Sequence, residues 1–356
     1  MEVLIYRCPN CGAPLEFSSE SQKWDCKFCL SSFTAEDLQK METEQAKETE
    51  PCETTASSTE QPAQEGQPQG KAYSCPSCGA EMITEEGTVA SFCAFCGSPA
   101  IFPKQLAGEF APEKIIPFRY TKEEAIAALL QLCKKKPLLP KDFSDQHHIE
   151  KITGIYVPFW LFDCNMDVQM SATAQRVHSW SDSRYRYTKT DFYRLEREGS
   201  LEVKGVPTDG LQRMNDDMMD ALEPFDYSSM TDFQLSYLSG YFAELYDVTR
   251  EASWPRAEAR IQSAARSLTE QTLHGYLSRQ VTHYATSVSN KDTRYAMLPV
   301  WLLSTQYKGK TYLLAMNGQT GKMVGNLPMS QGRMAKWFGI CAGAAFVLAM
   351  IGGLFL

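Results

Sequence analysis

Hydrophobic and polar positions along the chain change period from segment to segment. Thr121 and Glu124 form a T-x-x-E capping box, followed by a helical pattern through Ala125, Ile126, Leu129, Leu130 and Cys133 that Lys134-Lys135-Lys136-Pro137 brings to a stop. Ile155 to Cys164 is an almost unbroken apolar run interrupted by Pro158, which predicts a buried strand with an edge or bulge. Met166 to Val177 and Tyr185 to Val203 alternate with period two around the polar Ser181-Asp182-Ser183, which predicts a hairpin. Helices are expected at about Phe233 to Tyr246 and at about Pro255 to Leu277, the second with Ile261, Ala265, Leu268 and Thr272 on one face and Pro255 in its first turn. Strands close the region at Tyr295 to Tyr307 and Lys310 to Val324, the latter folded at Asn317-Gly318. Pro158-Phe-Trp-Leu161 and Pro299-Val-Trp-Leu302 read as two core strands that pair.

The last twenty residues, Trp337 to Leu356, carry no charge. As a helix they would be about 30 Å long, enough for a bilayer core, and a single transmembrane span is expected there. Arg333 and Lys336 precede it, so the positive-inside rule places the amino-terminal bulk in the cytoplasm. Gly339 and Gly343 form a G-x-x-x-G pair that would let two such helices approach closely, but glycine and alanine are common in membrane spans, so a homo-oligomer is the less favoured reading.

The strongest chemical signal is in the cysteines. Cys8, Cys11, Cys26 and Cys29 read C-x2-C-x14-C-x2-C, and Cys75, Cys78, Cys93 and Cys96 repeat that spacing 67 residues on. Each C-x2-C is a knuckle that points two thiolates at one centre, and two knuckles complete the tetrahedral set of a closed structural zinc site. Two zinc ions are therefore expected, with no ligand position open for catalysis. Tyr6/Tyr73, Pro9/Pro76, Gly12/Gly79, Ala13/Ala80 and Phe28/Phe95 repeat along with the cysteines. Modules this small bury little apolar surface, so metal binding should be coupled to their folding. The remaining cysteines, Cys52, Cys133, Cys164 and Cys341, have no such spacing and read as bland.

The fold class that follows is α+β: zinc ribbons at 1–40 and 71–110, an acidic disordered linker at 41–70, a mixed α+β domain with an antiparallel sheet at 111–330, and the helix at 337–356. Net charge is -8 among 356 residues, but the linker holds seven glutamates and one lysine and accounts for -6 of it. The ribbons are mildly acidic, with four Lys/Arg against six Asp/Glu in 1–40 and two against four in 71–110. Neither offers the basic face that a nucleic-acid backbone requires, so nucleic acid is a disfavoured partner.

No catalytic constellation stands out, and no enzyme is expected. Asp145-Gln146-His147-His148-Ile149-Glu150 is the densest titratable cluster, His178, His274 and His283 have no partner at ligand spacing, and the phosphate-loop, nucleophile-elbow and H-E-x-x-H patterns are absent. A basic and aromatic stretch from Arg176 to Arg197 includes Arg184, Arg186, Lys189 and Arg194 among Trp180, Tyr185, Tyr187, Phe192 and Tyr193. Asp182, Asp191 and Glu196 reduce it to +3, and a half-exposed hairpin carries such residues in any case.

The motifs YRCPNCGAPLEF, YSCPSCGAEMIT, SFCAFCGSPA, KITGIYVPFWLFDC, LEPFDYSSM, YLSGYFAELYDV, LPVWLL and AMNGQTGKMVGNLP span nearly the whole chain. In them the chain resembles bacterial, mainly Firmicute, proteins described as transcription-factor-B-type zinc-ribbon-containing proteins. Members are often labelled as similar to primosomal protein N', the replication-restart helicase; the chain has no helicase motif, so that label implies a zinc ribbon alone. Some relatives are associated with phage-shock protein A and SPFH-type proteins in membrane stress responses. The resemblance implies a zinc-ribbon adaptor or scaffold that binds other proteins at the cytoplasmic membrane face, with a membrane-tethered nucleic-acid-binding protein as the alternative. Leu30-Ser31 in the first ribbon departs from Gly97-Ser98 in the second, which bears on turn geometry and not on metal.

Overall fold

A computed structural model describes residues 3–40, 70–85, 87–106, 108–140, 143 and 152–353. The predicted linker, but for Gly70, and the Asp145 to Glu150 cluster lie outside the described residues. The chain divides into two compact units: unit 1 comprises Met1–Val157, Asp217–Leu245 and Met297–Leu356, and unit 2 comprises Pro158–Asp216 and Tyr246–Ala296.

In chain order the first ribbon contributes β1 (Glu16–Ser18), β2 (Lys23–Asp25) and β3 (Ser32–Phe33), and the second β4 (Gly70–Ser74), β5 (Glu81–Glu85), β6 (Thr88–Phe92) and β7 (Pro99–Ile101). Then come β8 (Lys114–Ile115), α1 (Lys122–Lys135), β9 (Ile152–Ser181), β10 (Arg186–Asp209), β11 (Thr231–Asp232) and β12 (Phe242–Glu244). Farther along are α2 (Arg250–Gln271), β13 (Ser278–Tyr307), β14 (Lys310–Asn317), β15 (Met323–Gly325) and α3 (Gln331–Gly353). The mixed α+β reading with a large sheet holds.

Unit 1 joins short strands to its sheet. β12 pairs parallel with β9 at Phe242↔Ile155 and antiparallel with β6 at Ala243↔Ala90. The second hairpin of ribbon 2 is thereby a continuation of the body's own sheet, with Val89, Ala90, Ile101 and Phe102 at 1% exposure or less. Ribbon 1 docks by its side chains. Trp24, at 1% exposure, donates its indole N–H to the Ser236 carbonyl at 2.7 Å, and its ring meets Phe17 and Tyr237 at 5.2 and 5.0 Å. Ser239 donates its hydroxyl to the Leu15 carbonyl, and Phe17 donates its N–H to the Ser239 carbonyl.

These contacts explain one departure from expectation. No helix forms over Phe233 to Tyr246; a single 3-10 turn at Leu235–Leu238 and strand β12 stand there. Ser236 and Ser239 hand their backbone carbonyls to ribbon 1, and Gly240 sits at φ 96°, so tertiary demand overrides the apolar helical spacing. The capping box opens α1 as expected, with Thr121 and Glu124 each accepting from the other's backbone N–H. Two of the motifs that carried the resemblance meet in the same unit. Buried Asn317 donates to the carbonyls of Leu222 and Pro224 and accepts from the N–H groups of Gln319 and Thr320, locking the Asn-Gly turn onto the segment from Leu222 to Met230.

Unit 2 contains the long hairpin of β9 and β10, in unbroken register from Ser181↔Arg186 to Cys164↔Val203 with a bulge between Val203 and Val206. α2 lays Ile261 and Ala265 on Cys164, Met166 and Val168. That helix begins five residues before Pro255, because Thr249 is its N-cap and accepts from Ala252 N–H.

The carboxyl-terminal expectation is corrected. Among the described residues no helix is long and apolar enough to cross a membrane. α3 starts at Gln331 and carries Arg333 and Lys336 in its first turns, with Arg333 donating to the carbonyls of Pro137 and Leu139. Among its described residues the uncharged run is Trp337 to Gly353, seventeen residues, fewer than the roughly 20 a bilayer core asks for. The transmembrane helix expected at 337–356 and the single-pass placement built on it are thereby overturned.

Candidate metal centres

The backbone shapes every knuckle alike. The N–H four residues after the first cysteine bonds back to it, from Gly12 to Cys8, Leu30 to Cys26, Gly79 to Cys75 and Gly97 to Cys93, at 2.8–2.9 Å. The first cysteine's own N–H bonds forward to Ala13, Ser31, Ala80 and Ser98. The turn needs a left-handed residue at its fourth step, and φ is 72°, 60°, 74° and 72° at Gly12, Leu30, Gly79 and Gly97. Three are glycine, for which that region has little steric cost, and the fourth is a leucine.

The eight predicted cysteines come together as two groups of four, with each group's sulfurs within 4.8 Å of one another. Sγ separations are 3.5 Å for Cys8–Cys29, 3.4 Å for Cys11–Cys26, and 3.7 Å for both Cys75–Cys96 and Cys78–Cys93. A tetrahedral four-sulfur site with metal–sulfur bonds of about 2.3 Å has sulfur–sulfur edges of about 3.8 Å, so both groups fit a four-coordinate ion. In each group the first cysteine of each knuckle is buried and the second exposed. All eight stand as free thiols, not as disulfides.

Electrostatics divides the exposed thiols. The Ser31 hydroxyl and backbone N–H lower Cys29 to about 6, and Ser98 does the same to Cys96. Cys11 has a favourable backbone hydrogen bond at Ala13, yet the Cys26 thiol, burial and its other neighbours push it up to about 12. Cys78 follows the same course against Ala80, with burial the first of its opposing causes. Four thiols this close cannot all ionise on their own, and a divalent cation is the charge that lets them. Ser31 also accepts from the Asn10 side chain, a link between the two knuckles of ribbon 1 that no spacing rule announces.

Leu30 is an outlier with a readable cost. It is 84% exposed and holds a conformation that disfavours a Cβ. Leu30→Gly should therefore stabilise the metal-loaded protein by about 1 kcal/mol after the larger unfolded-state entropy of glycine is subtracted. Denaturant titration measures this, and a loss of stability would show that the leucine side chain is held by contacts of its own.

Over 356 residues, and 99% of both chains, the sequence is 39% identical to the uncharacterized protein YdjG of Bacillus subtilis strain 168. The chain belongs to the YdjG family. The match runs through both cysteine groups and on to the carboxyl-terminal helix. No family model matches the chain, and no solved structure does.

Proposed function

We propose that this member of the YdjG family is a zinc-ribbon adaptor that binds other proteins through the tips of its two metal knuckles, with zinc in a structural role. Four-cysteine donor sets suit zinc, and their closed geometry leaves no position for a reacting molecule. The observation that carries the reading is at the knuckle tips. Phe28 and Phe95, each one residue before the last cysteine of its group, are 76% and 75% exposed. Leu30 on ribbon 1 and Ile83 on ribbon 2 are exposed too. Large apolar side chains held in water on a rigid metal-bound turn are what a partner's pocket recognises. The strain at Leu30 agrees: a side chain costly in both conformation and exposure is one that a partner's pocket would repay. The phage-shock and SPFH-type assemblies associated with the resembling proteins indicate where partners should be sought.

The test is quantitative co-purification of the tagged full chain from its host, wild type against Phe28→Glu with Phe95→Glu. The double variant should keep two metals per chain and lose its specific partners by tenfold or more. An unchanged partner set would remove the knuckle tips from the function.

A further inference from the structure

The basic and aromatic hairpin does not look like the half-buried strand pair that its alternation suggested. At its end Trp180, Tyr185, Tyr187 and, farther along the strand, Phe192 are 53%, 65%, 41% and 75% exposed. Trp180 and Tyr187 face each other across the strands and stack at 5.6 Å with 16° between their planes. Asp182 holds the loop rigid: its carboxylate accepts from the N–H groups of Arg184 and Tyr185 and from the Tyr187 hydroxyl. Farther along the hairpin, Lys189 is paired with Asp191 and Arg194 with Glu196. Arg184 and Arg186 are exposed and have no carboxylate partner among the described residues.

We propose that the tip of this hairpin is a binding site for single-stranded nucleic acid, in which a base stacks on the Trp180–Tyr187 pair while Arg184 and Arg186 contact the flanking phosphates. A near-parallel ring pair leaves a flat outer face of the kind on which any base stacks, and the two unpaired guanidinium groups at the same end of the hairpin, Arg184 in the loop and Arg186 on the face opposite Tyr187, match the charge of a strand that wraps the tip. The site is distinct from the acidic ribbons and independent of their role in the adaptor reading. It is preorganised, since the loop is fixed by Asp182 before any ligand arrives.

The experiment is fluorescence anisotropy of a labelled fifteen-nucleotide oligo(dT) with the full metal-loaded chain at low salt. Binding should quench Trp180 and weaken with salt with a log–log slope of roughly -1.4, the value for two phosphate contacts on a single strand. Trp180→Ala should weaken it roughly five- to a hundredfold through lost stacking. Arg184→Glu with Arg186→Glu should abolish it and flatten the salt dependence. These positions are exposed, and unchanged melting curves would show that the variants fold. Absence of binding by the wild type overturns the proposal, as does equal affinity for an abasic oligomer, which marks a mere cationic patch. Displacement of the oligomer by a polyglutamate peptide at equal charge concentration also overturns it, in favour of an acidic protein partner.

Discussion

Removing the metals with a chelator will shift the tryptophan emission of the chain to the red and lower its melting temperature by on the order of 10 °C or more. Structural zinc in a four-cysteine set binds with an apparent ~10–16 kcal/mol near neutral pH, and that free energy is available only to the folded form. If even a third of one site's contribution reaches the rest of the fold, the loss is ~4 kcal/mol, or roughly 10 °C for a domain of ordinary size. It will reach the fold, because neither ribbon is a free module. Loss of ribbon 2 exposes Val89, Ala90, Ile101 and Phe102 and unpairs β6 from β12. Loss of ribbon 1 exposes Phe17 and Trp24. Single substitutions separate the two. Cys26→Ser should reduce the metal content from two ions per chain to one and redden the emission, since Trp24 is the one tryptophan of the ribbons. Cys93→Ser should also leave one metal and lower the melting temperature, with little change in emission. Metal content that stays at two, or a melting temperature indifferent to chelation, would refute the coupling. The affinity should fall as the pH is lowered, because all four thiols must give up protons to bind and acid competes for them.

What the sequence made legible follows from how local each cause is. The cysteine groups were readable because a knuckle is closed within six residues, and the Cys8 to Gly12 hydrogen bond needs nothing from the rest of the chain. The cap at Thr121 and the β9/β10 hairpin are local in the same sense. Expectation failed where distant segments decide. Leu235, Leu238 and Tyr241 have helical spacing, yet Ser236 and Ser239 are committed to ribbon 1 more than 200 residues away, and no period reveals that. Pro255 puts the expected start of α2 too late, because Thr249 caps it with no glutamate at the third helical position to announce the cap. The ring pair at the hairpin tip was visible as composition but not as exposure, which depends on where α2 stops covering the sheet. The carboxyl-terminal stretch shows the converse: freedom from charge was read as a span, while the helix that forms starts earlier, in polar residues tied to Pro137 and Leu139.

Trp24→Ala tests whether ribbon 1 is held by its metal alone. The indole is buried at 1% exposure, packs edge-on to Phe17, lies against Tyr237 and donates to a buried carbonyl. Truncation leaves a cavity between the ribbon and the Ser236 turn and orphans that carbonyl, so about 3–5 kcal/mol of stability should be lost. The cysteine sulfurs are positioned by their own knuckles, and the variant should still bind two metals per chain. Trp24→Phe keeps most of the ring contact and loses only the N–H, so its cost should be about 1–3 kcal/mol, the penalty for one unsatisfied buried acceptor. Denaturant titration of the three proteins, each with its metal content measured, sets the two terms apart. A Trp24→Ala protein as stable as wild type would mean that the metal by itself fixes the ribbon. One that loses a metal would mean that the body, through Trp24, helps to shape the sulfur cage, and the knuckles would then report the state of the domain on which they sit.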